Sequence, residues 1–183
     1  MESAQARVPA TVGRPAPLKP TTRDINEVPN MLPGMKAALN YHPIFVHFPI
    51  VLWLAALFFQ LLALWRASDE MQRTTARLLY LGTLAALVTV WSGLSAAKSV
   101  PEGDAMRAVG IHETMMLVST SLAVALCMFA FFARQNFTAQ LRKLMLAGLF
   151  VLAVLVTIGA DRGAQLVYGY GSAVNWTTAQ QQK

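Results

Sequence analysis

Residues 41–65 have the sequence YHPIFVHFPIVLWLAALFFQLLALW, and this stretch decides the fold. From Ile44 to Trp65 its 22 residues form an apolar run that only His47 and Gln60 interrupt. A hydrocarbon core about 30 Å thick needs about 20 helical residues at about 1.5 Å each, so the run is predicted to be a transmembrane helix. An imidazole inside such a helix is costly to leave unused, which makes His47 a functional candidate.

The composition of the whole chain points to the same class of protein. Of its 183 residues, 55% are hydrophobic and 13% are charged, whereas soluble domains carry about 25% charged residues. The net charge is +6, but the basic residues stand in short clusters between apolar runs, so we predict topology signals and no nucleic-acid binding. The single cysteine, Cys127, excludes an intrachain disulfide and a Cys-X-X-Cys-His site for covalent haem.

Three further apolar runs follow, and the chain divides into a bundle with two tails. The predicted spans are residues 43–66, 76–97, 111–133 and 142–161. Their short connections predict an all-α integral membrane protein, an up-down four-helix bundle over residues 41–175. Residues 1–40 are proline-rich and too polar to fold alone, so they are predicted to form an extended tail. Residues 176–183 form a polar C-terminal tail.

Basic residues in the connectors predict the orientation of the bundle. The connector between spans 1 and 2 and the one between spans 3 and 4 together contain six: Arg66, Arg73, Arg77, Arg134, Arg142 and Lys143. The remaining connector has two basic residues, balanced by two acidic ones. The positive-inside rule therefore predicts a bacterial inner-membrane protein with both termini in the periplasm.

Up-down threading brings all three histidines of the sequence to one face of the membrane. His42 and His47 begin span 1, and His112 begins span 3. His47 lies deeper than His42, so we expect His47 and His112 to face each other inside the bundle. Two neutral imidazoles on separate helices are suited to be axial ligands of the iron of haem b. His42 is the alternate ligand or a hydrogen-bonding neighbour.

Residues near the predicted outer face complete this hypothetical haem site. The haem carboxylates need cations at the aqueous edge, which Arg162 or, alternatively, Lys98 or Arg107 would supply. Tyr168 would pack or form a hydrogen bond at the cofactor edge. Two alternatives stay open. The histidines could simply bond carbonyl groups at the membrane boundary, or they could join Glu113 in a metal site, although no compact ligand spacing favours metal.

The sequence also resembles a known family. The motif H-P-x-x-V-H-F-P-I at the start of span 1, His112 at the start of span 3, and G-A-Q-L-V-Y-x-x-G after span 4 are similar to the small bacterial membrane proteins grouped as domain of unknown function 2231. On this likeness His42, His47 and His112 occupy motif positions, as do four residues after span 4: Gly163, Leu166, Tyr168 and Gly171. The resemblance covers residues 38–174 and implies four spans and a haem- or redox-linked role beside periplasmic c-type cytochromes or dehydrogenases. Gln60 and Ser95 stand where the family pattern suggests acidic residues.

These observations predict a b-type cytochrome-like electron-transfer subunit without a catalytic residue of its own. It would pass electrons between a periplasmic redox partner and quinone or another haem, with quinone as the second cofactor candidate. The alternative is a haem-free scaffold subunit of a larger respiratory or photosynthetic membrane complex. A transporter is disfavoured because polarity within the spans is limited to hydroxyl groups, glycines and Gln60.

Overall fold

The computed structural model describes residues 42–98 and 103–171, which form four helical spans. Span 1 consists of a short helix and a long one, and each later span is a single helix. The helices are α1 (His42–Phe45), α2 (His47–Trp65), α3 (Asp69–Ala97), α4 (Asp104–Ala133) and α5 (Ala139–Tyr170). All four spans are long and apolar enough to cross a membrane. The predicted all-α bundle with four spans is confirmed, whereas the predicted tails, 1–40 and 176–183, lie outside the described residues.

The spans pack in the order of an up-down bundle, and alanine and leucine side chains make up most of their core. Helix α2 packs on α3 and α5, and α4 packs on the same two helices. Ala56, Ala63 and Ala123 are fully buried, whereas Phe132 and Phe150 are 75% and 61% exposed. Small residues inside let helices approach closely, and large apolar residues outside face lipid tails. The chain is therefore a multi-pass membrane protein.

The helices extend further than the apolar runs predicted. Helix α3 begins at Asp69, α4 begins at Asp104, and α5 continues to Tyr170, so these helices extend beyond the predicted span bounds 76, 111 and 161. Local capping explains two of these extensions. The Ser68 side chain accepts a hydrogen bond from a backbone N–H group in the first turn of α3, and the N–H group of Gly171, in the left-handed conformation, donates to the Leu166 and Val167 carbonyl oxygens at the end of α5. A capped polar turn can continue a helix beyond the hydrocarbon, and the hydropathy of the sequence cannot predict the helix there.

Span 1 is divided at Val46 because a regular helical hydrogen bond is missing there, although the backbone of Val46 keeps helical angles. Pro49 has no N–H group, so the carbonyl of Phe45 lacks its usual helical partner. The Thr89 hydroxyl on α3 compensates, because its Oγ1 lies 3.2 Å from that carbonyl oxygen. Thr89 Oγ1 also lies 2.9 Å from the Ala85 carbonyl of its own helix and can share its proton between the two oxygens. The carbonyl group that lacks a partner within span 1 is thus bonded to α3.

The two ends of the bundle carry different chemistry. We call the end that holds His42, His112 and Gly163 the histidine end, and the end that holds the connectors 66–68 and 134–138 the arginine end. At the arginine end, Gln60 is fully buried, and its Nε2 donates to Gln72 Oε1 and to the Arg142 carbonyl, each at 3.0 Å. Two buried atoms, Gln60 Oε1 and Gln72 Nε2, have no hydrogen-bond partner in the described chain.

Arg142 completes this polar network at the arginine end. Its guanidinium donates to the carbonyl oxygens of Ala63 and Phe137, each at 3.3 Å, and forms an ion pair with Asp69. The Arg142 side chain is 10% exposed, whereas that of Asp69 is 74% exposed. The network ties the end of α2 to the first turns of α3 and α5.

Candidate cofactor site

His42 lies in a niche on α3 at the histidine end. Its Nδ1 is 3.0 Å from the Ser92 hydroxyl oxygen. That hydroxyl donates its proton to the Thr89 carbonyl at 2.9 Å, so it accepts a hydrogen bond from the Nδ1–H group of His42. A Cβ atom on Gly93 would lie 2.8 Å from His42 Cε1, which leaves no room for a larger residue. Ser92 and Gly93 therefore orient the half-buried His42 ring.

His112 is held in the same manner by α5. Its Nδ1 lies 2.9 Å from the Gly159 carbonyl oxygen. Because a carbonyl only accepts, Nδ1 carries the ring proton and Nε2 carries the lone pair. A Cβ atom on Gly163 would lie 3.0 Å from His112 Cε1, so this glycine makes room for the ring as Gly93 does for His42.

The two imidazoles are held in matching ways. Both rings are half-buried at the histidine end. Each uses Nδ1 for a hydrogen bond to a neighbouring helix, so the two rings share one tautomer. Histidines that bind metals commonly donate their other ring N–H to a carbonyl or another acceptor, which fixes the tautomer and the orientation of the ring.

The structure places His47 differently from what its depth in the span suggested. Its side chain is exposed on the outside of α2, and the neighbouring Phe48 is 58% exposed. Pro49 is buried, so it marks the inward face. At about 100° per residue, His42 lies seven positions from Pro49 and shares its face, whereas His47 lies two positions away and points to the opposite side. The expectation that His47 and His112 face each other is wrong; the inward pair is His42 and His112.

The other predicted site residues lie on the surface at the histidine end. Arg162 is exposed and donates to Gln165 Oε1 at 3.2 Å. Tyr168 is 89% exposed, so the structure does not support its predicted packing at a cofactor edge. The motif at residues 163–171 is helical as far as Tyr170, and it turns Gly163 and the buried Leu166 inward. Of the alternative cations, Lys98 is exposed and Arg107 pairs with Asp104 at 3.8 Å.

Comparison with known proteins gives one match. A family model described as "Predicted membrane protein (DUF2231)" matches residues 38–175. The chain belongs to this family. No curated protein and no solved structure matches the sequence.

The donor set of this DUF2231 protein fits a cofactor that brings its own equatorial ligands. The described residues contain no group of three or more histidine, cysteine or acidic side chains that could hold a metal ion. A bare metal ion needs three or four protein ligands, so a pair is insufficient. Haem iron needs one or two axial protein ligands, and two imidazoles with engaged Nδ1 atoms meet that need.

Three residues of the DUF2231 site were not recognised as such in the sequence: Ser92, Gly93 and Gly159. Small and hydroxylated residues in span 2 indicated close helix contact, which the structure supports for Gly82 beside Trp53. The signal that separates Gly93 from Gly82 is depth, because Gly93 stands at the level of the histidines on a neighbouring helix. A glycine at that level predicts a niche for an imidazole.

Proposed function

We propose that this protein is a membrane-anchored b-type cytochrome-like electron-transfer subunit, in which His42 and His112 are the axial ligands of haem at the histidine end. The observation that supports the proposal best is the matched hydrogen bonding of the two rings. Each Nδ1 is engaged by a neighbouring helix, at 3.0 Å for His42 and 2.9 Å for His112. In the proposed site, Nε2 would be the coordinating atom of each ring.

The residues of the chain would hold and tune the group, and haem would supply one-electron chemistry when bound. The Gly159 carbonyl and the Ser92 hydroxyl fix the ring orientations and increase the basicity of the imidazoles. Arg162 would pair with a haem carboxylate, because it precedes Gly163 and is exposed at the level of His112. Neither the binding of haem nor electron transfer through it requires a nucleophile or an acid–base residue, so the subunit itself is not an enzyme in this proposal.

In the cell, the subunit would relay electrons between a periplasmic c-type cytochrome or dehydrogenase and quinone or another haem. The six basic residues in and beside the two connectors at the arginine end support an inner-membrane orientation with both termini in the periplasm. A reporter fused after Lys183 tests this orientation. Periplasmic activity of the reporter is expected, and cytoplasmic activity would move the histidine pair to the inner face.

Absorption spectra test the cofactor and its ligands together. The detergent-purified full chain from haem-replete cells should show a Soret band and, after dithionite reduction, the α-band of a low-spin b-type haem. His42→Ala and His112→Ala should each abolish or convert the low-spin spectrum, since each removes one axial ligand. His47→Ala is the matched control, because it removes an exposed histidine from the same span, and it should leave the spectrum intact.

The possible results separate the proposals. Loss of the low-spin spectrum in His47→Ala but not in His42→Ala would show that His47, and not His42, is the axial ligand. Wild-type protein without a Soret band would refute the cytochrome proposal. The haem-free scaffold subunit of a larger membrane complex would then take its place.

A further inference from the structure

One face of α3 near the arginine end joins exposed cations to an apolar strip. Arg73 and Arg77 lie one turn apart and are both exposed. Deeper in the membrane the same face continues through Tyr80, Leu84 and Val88, which are 37%, 62% and 43% exposed. At about 100° per residue, these five residues fall within an arc of about 80°. The face is therefore basic at the membrane boundary and apolar below it.

The two arginines have no ionic partner within the described chain. The ion pairs found there are Arg107 with Asp104 and Arg142 with Asp69. Glu70 is exposed one turn above Arg73, but it forms no ion pair with either arginine. Like charges four residues apart on a helix repel each other, so a bound anion would relieve the repulsion.

Other exposed arginines at this end have local partners. The guanidinium of Arg66 lies 5.5 Å from the centre of the Trp65 ring, and that of Arg134 lies 4.3 Å from the centre of the Phe131 ring. A cation over an aromatic face is already partly stabilised. Arg73 and Arg77 are therefore the pair best suited to an external anion.

The dimensions of this face match one leaflet of a bilayer. Arg77 immediately precedes the apolar run that begins at Leu78, which places its guanidinium at headgroup depth. Val88 lies 11 residues further along α3, about 16 Å at about 1.5 Å per residue. One leaflet contributes about 15 Å of hydrocarbon, half of about 30 Å. A phospholipid with its phosphate at Arg77 would lay an acyl chain along the strip as far as Val88.

We propose that Arg73 and Arg77 bind the phosphate of an anionic phospholipid whose acyl chain lies along Leu84 and Val88. Guanidinium groups bind phosphate through paired charge-assisted hydrogen bonds. The net charge of the lipid decides the selectivity, because a zwitterionic lipid carries a cationic group that opposes the two arginines. This site lies at the other end of the bundle from the proposed haem and does not depend on it.

The test measures lipid binding to the detergent-purified full chain by native mass spectrometry. Phosphatidylglycerol and phosphatidylcholine with identical acyl chains are titrated separately. Each basic residue near an anionic lipid surface contributes about fivefold in affinity, from about 1 kcal/mol per residue. Wild-type protein should prefer phosphatidylglycerol, and Arg73→Gln/Arg77→Gln should weaken that binding about 30-fold while weakening the binding of phosphatidylcholine much less.

Two variants control for fold and for general charge. Arg73→Lys/Arg77→Lys should keep most of the preference, because it retains both charges. Arg107→Gln removes an exposed cation from the histidine end and should leave the preference unchanged. Unchanged phosphatidylglycerol binding in the double Gln variant, or an equal loss in Arg107→Gln, would overturn the proposal. Full competition by millimolar inorganic phosphate would also overturn it, because the acyl chain would then contribute nothing.

Discussion

Replacing Gln60 by leucine should destabilise the bundle, and replacing Gln72 as well should reverse the loss. The prediction depends on how hydrogen bonds and unpaired atoms are distributed between the two amides. Gln60 Nε2 makes two hydrogen bonds, whereas Gln60 Oε1 and Gln72 Nε2 are buried and lack partners in the described chain. Each substitution therefore changes two quantities, the number of bonds and the number of unpaired atoms.

The structure gives the sign and size of each change. Gln60→Leu loses two bonds and leaves Gln72 with two unpaired atoms, so it should cost about 1 kcal/mol at about 0.6 kcal/mol per bond. Gln72→Leu loses one bond and removes one unpaired atom, which should be nearly neutral if such an atom costs about 1 kcal/mol. The double variant loses two bonds but leaves no unpaired amide atom, so it should be about 1 kcal/mol more stable than wild type. The coupling energy is then about 1.6 kcal/mol.

Equilibrium unfolding of the four proteins in mixed micelles measures this cycle. Increasing mole fractions of dodecyl sulfate unfold the bundle, and tryptophan fluorescence, to which the buried Trp53 contributes, reports the transition. The double variant should unfold at a higher mole fraction of dodecyl sulfate than Gln60→Leu. Additive effects, or a double variant less stable than either single one, would refute the reasoning and show that the amide atoms are already paired in the folded protein.

Two further pairs of variants test the packing and the ion pair. Gly82→Ala should lower the free energy of unfolding by about 1–3 kcal/mol, because its Cβ would lie 2.7 Å from Trp53 Cδ1. Gly110→Ala meets nothing within 4 Å and should raise the free energy of unfolding by up to about 1 kcal/mol. Thermal unfolding in detergent compares the two variants, and equal effects would contradict the packing of Gly82 against Trp53. Arg142→Met should lower the free energy of unfolding by about 2 kcal/mol or more, since a buried side chain loses carbonyl and carboxylate partners. Asp69→Asn should lower it by less than about 1 kcal/mol, because that carboxylate is exposed. The dodecyl sulfate titration measures both variants, and a larger loss for Asp69→Asn would contradict the difference in burial.

The number and type of the spans could be predicted because hydrocarbon thickness imposes a minimum apolar length. The ends of the helices could not be predicted in this way. Beyond the hydrocarbon a helix is stabilised by caps and by packing, as at Ser68, whose hydroxyl accepts from the first turn of α3. Hydropathy carries no information about such a cap, and the sequence SDEMQR at 68–73 was therefore assigned to a connector.

The candidate site stays a prediction, and within span 1 the sequence analysis chose the wrong histidine to face inward. Depth along span 1 favoured His47, whereas the direction of the side chain around the helix decides which ring meets α3. That direction can be deduced only if one residue is known to face inward. The sequence does not identify such a residue, because span 1 is apolar on all sides. Pro49 provides the reference once its burial is known, and it places His42 inward.

Helices α4 and α5 both extend beyond the imidazole of His112 at the histidine end of the bundle. Helix α4 begins eight residues before His112, and α5 continues seven residues past Gly163, so both rise about 10 Å above the level of the His112 ring at about 1.5 Å per residue. A large protein that rests flat on the tips of these two helices would therefore stay about 10 Å from the His112 ring.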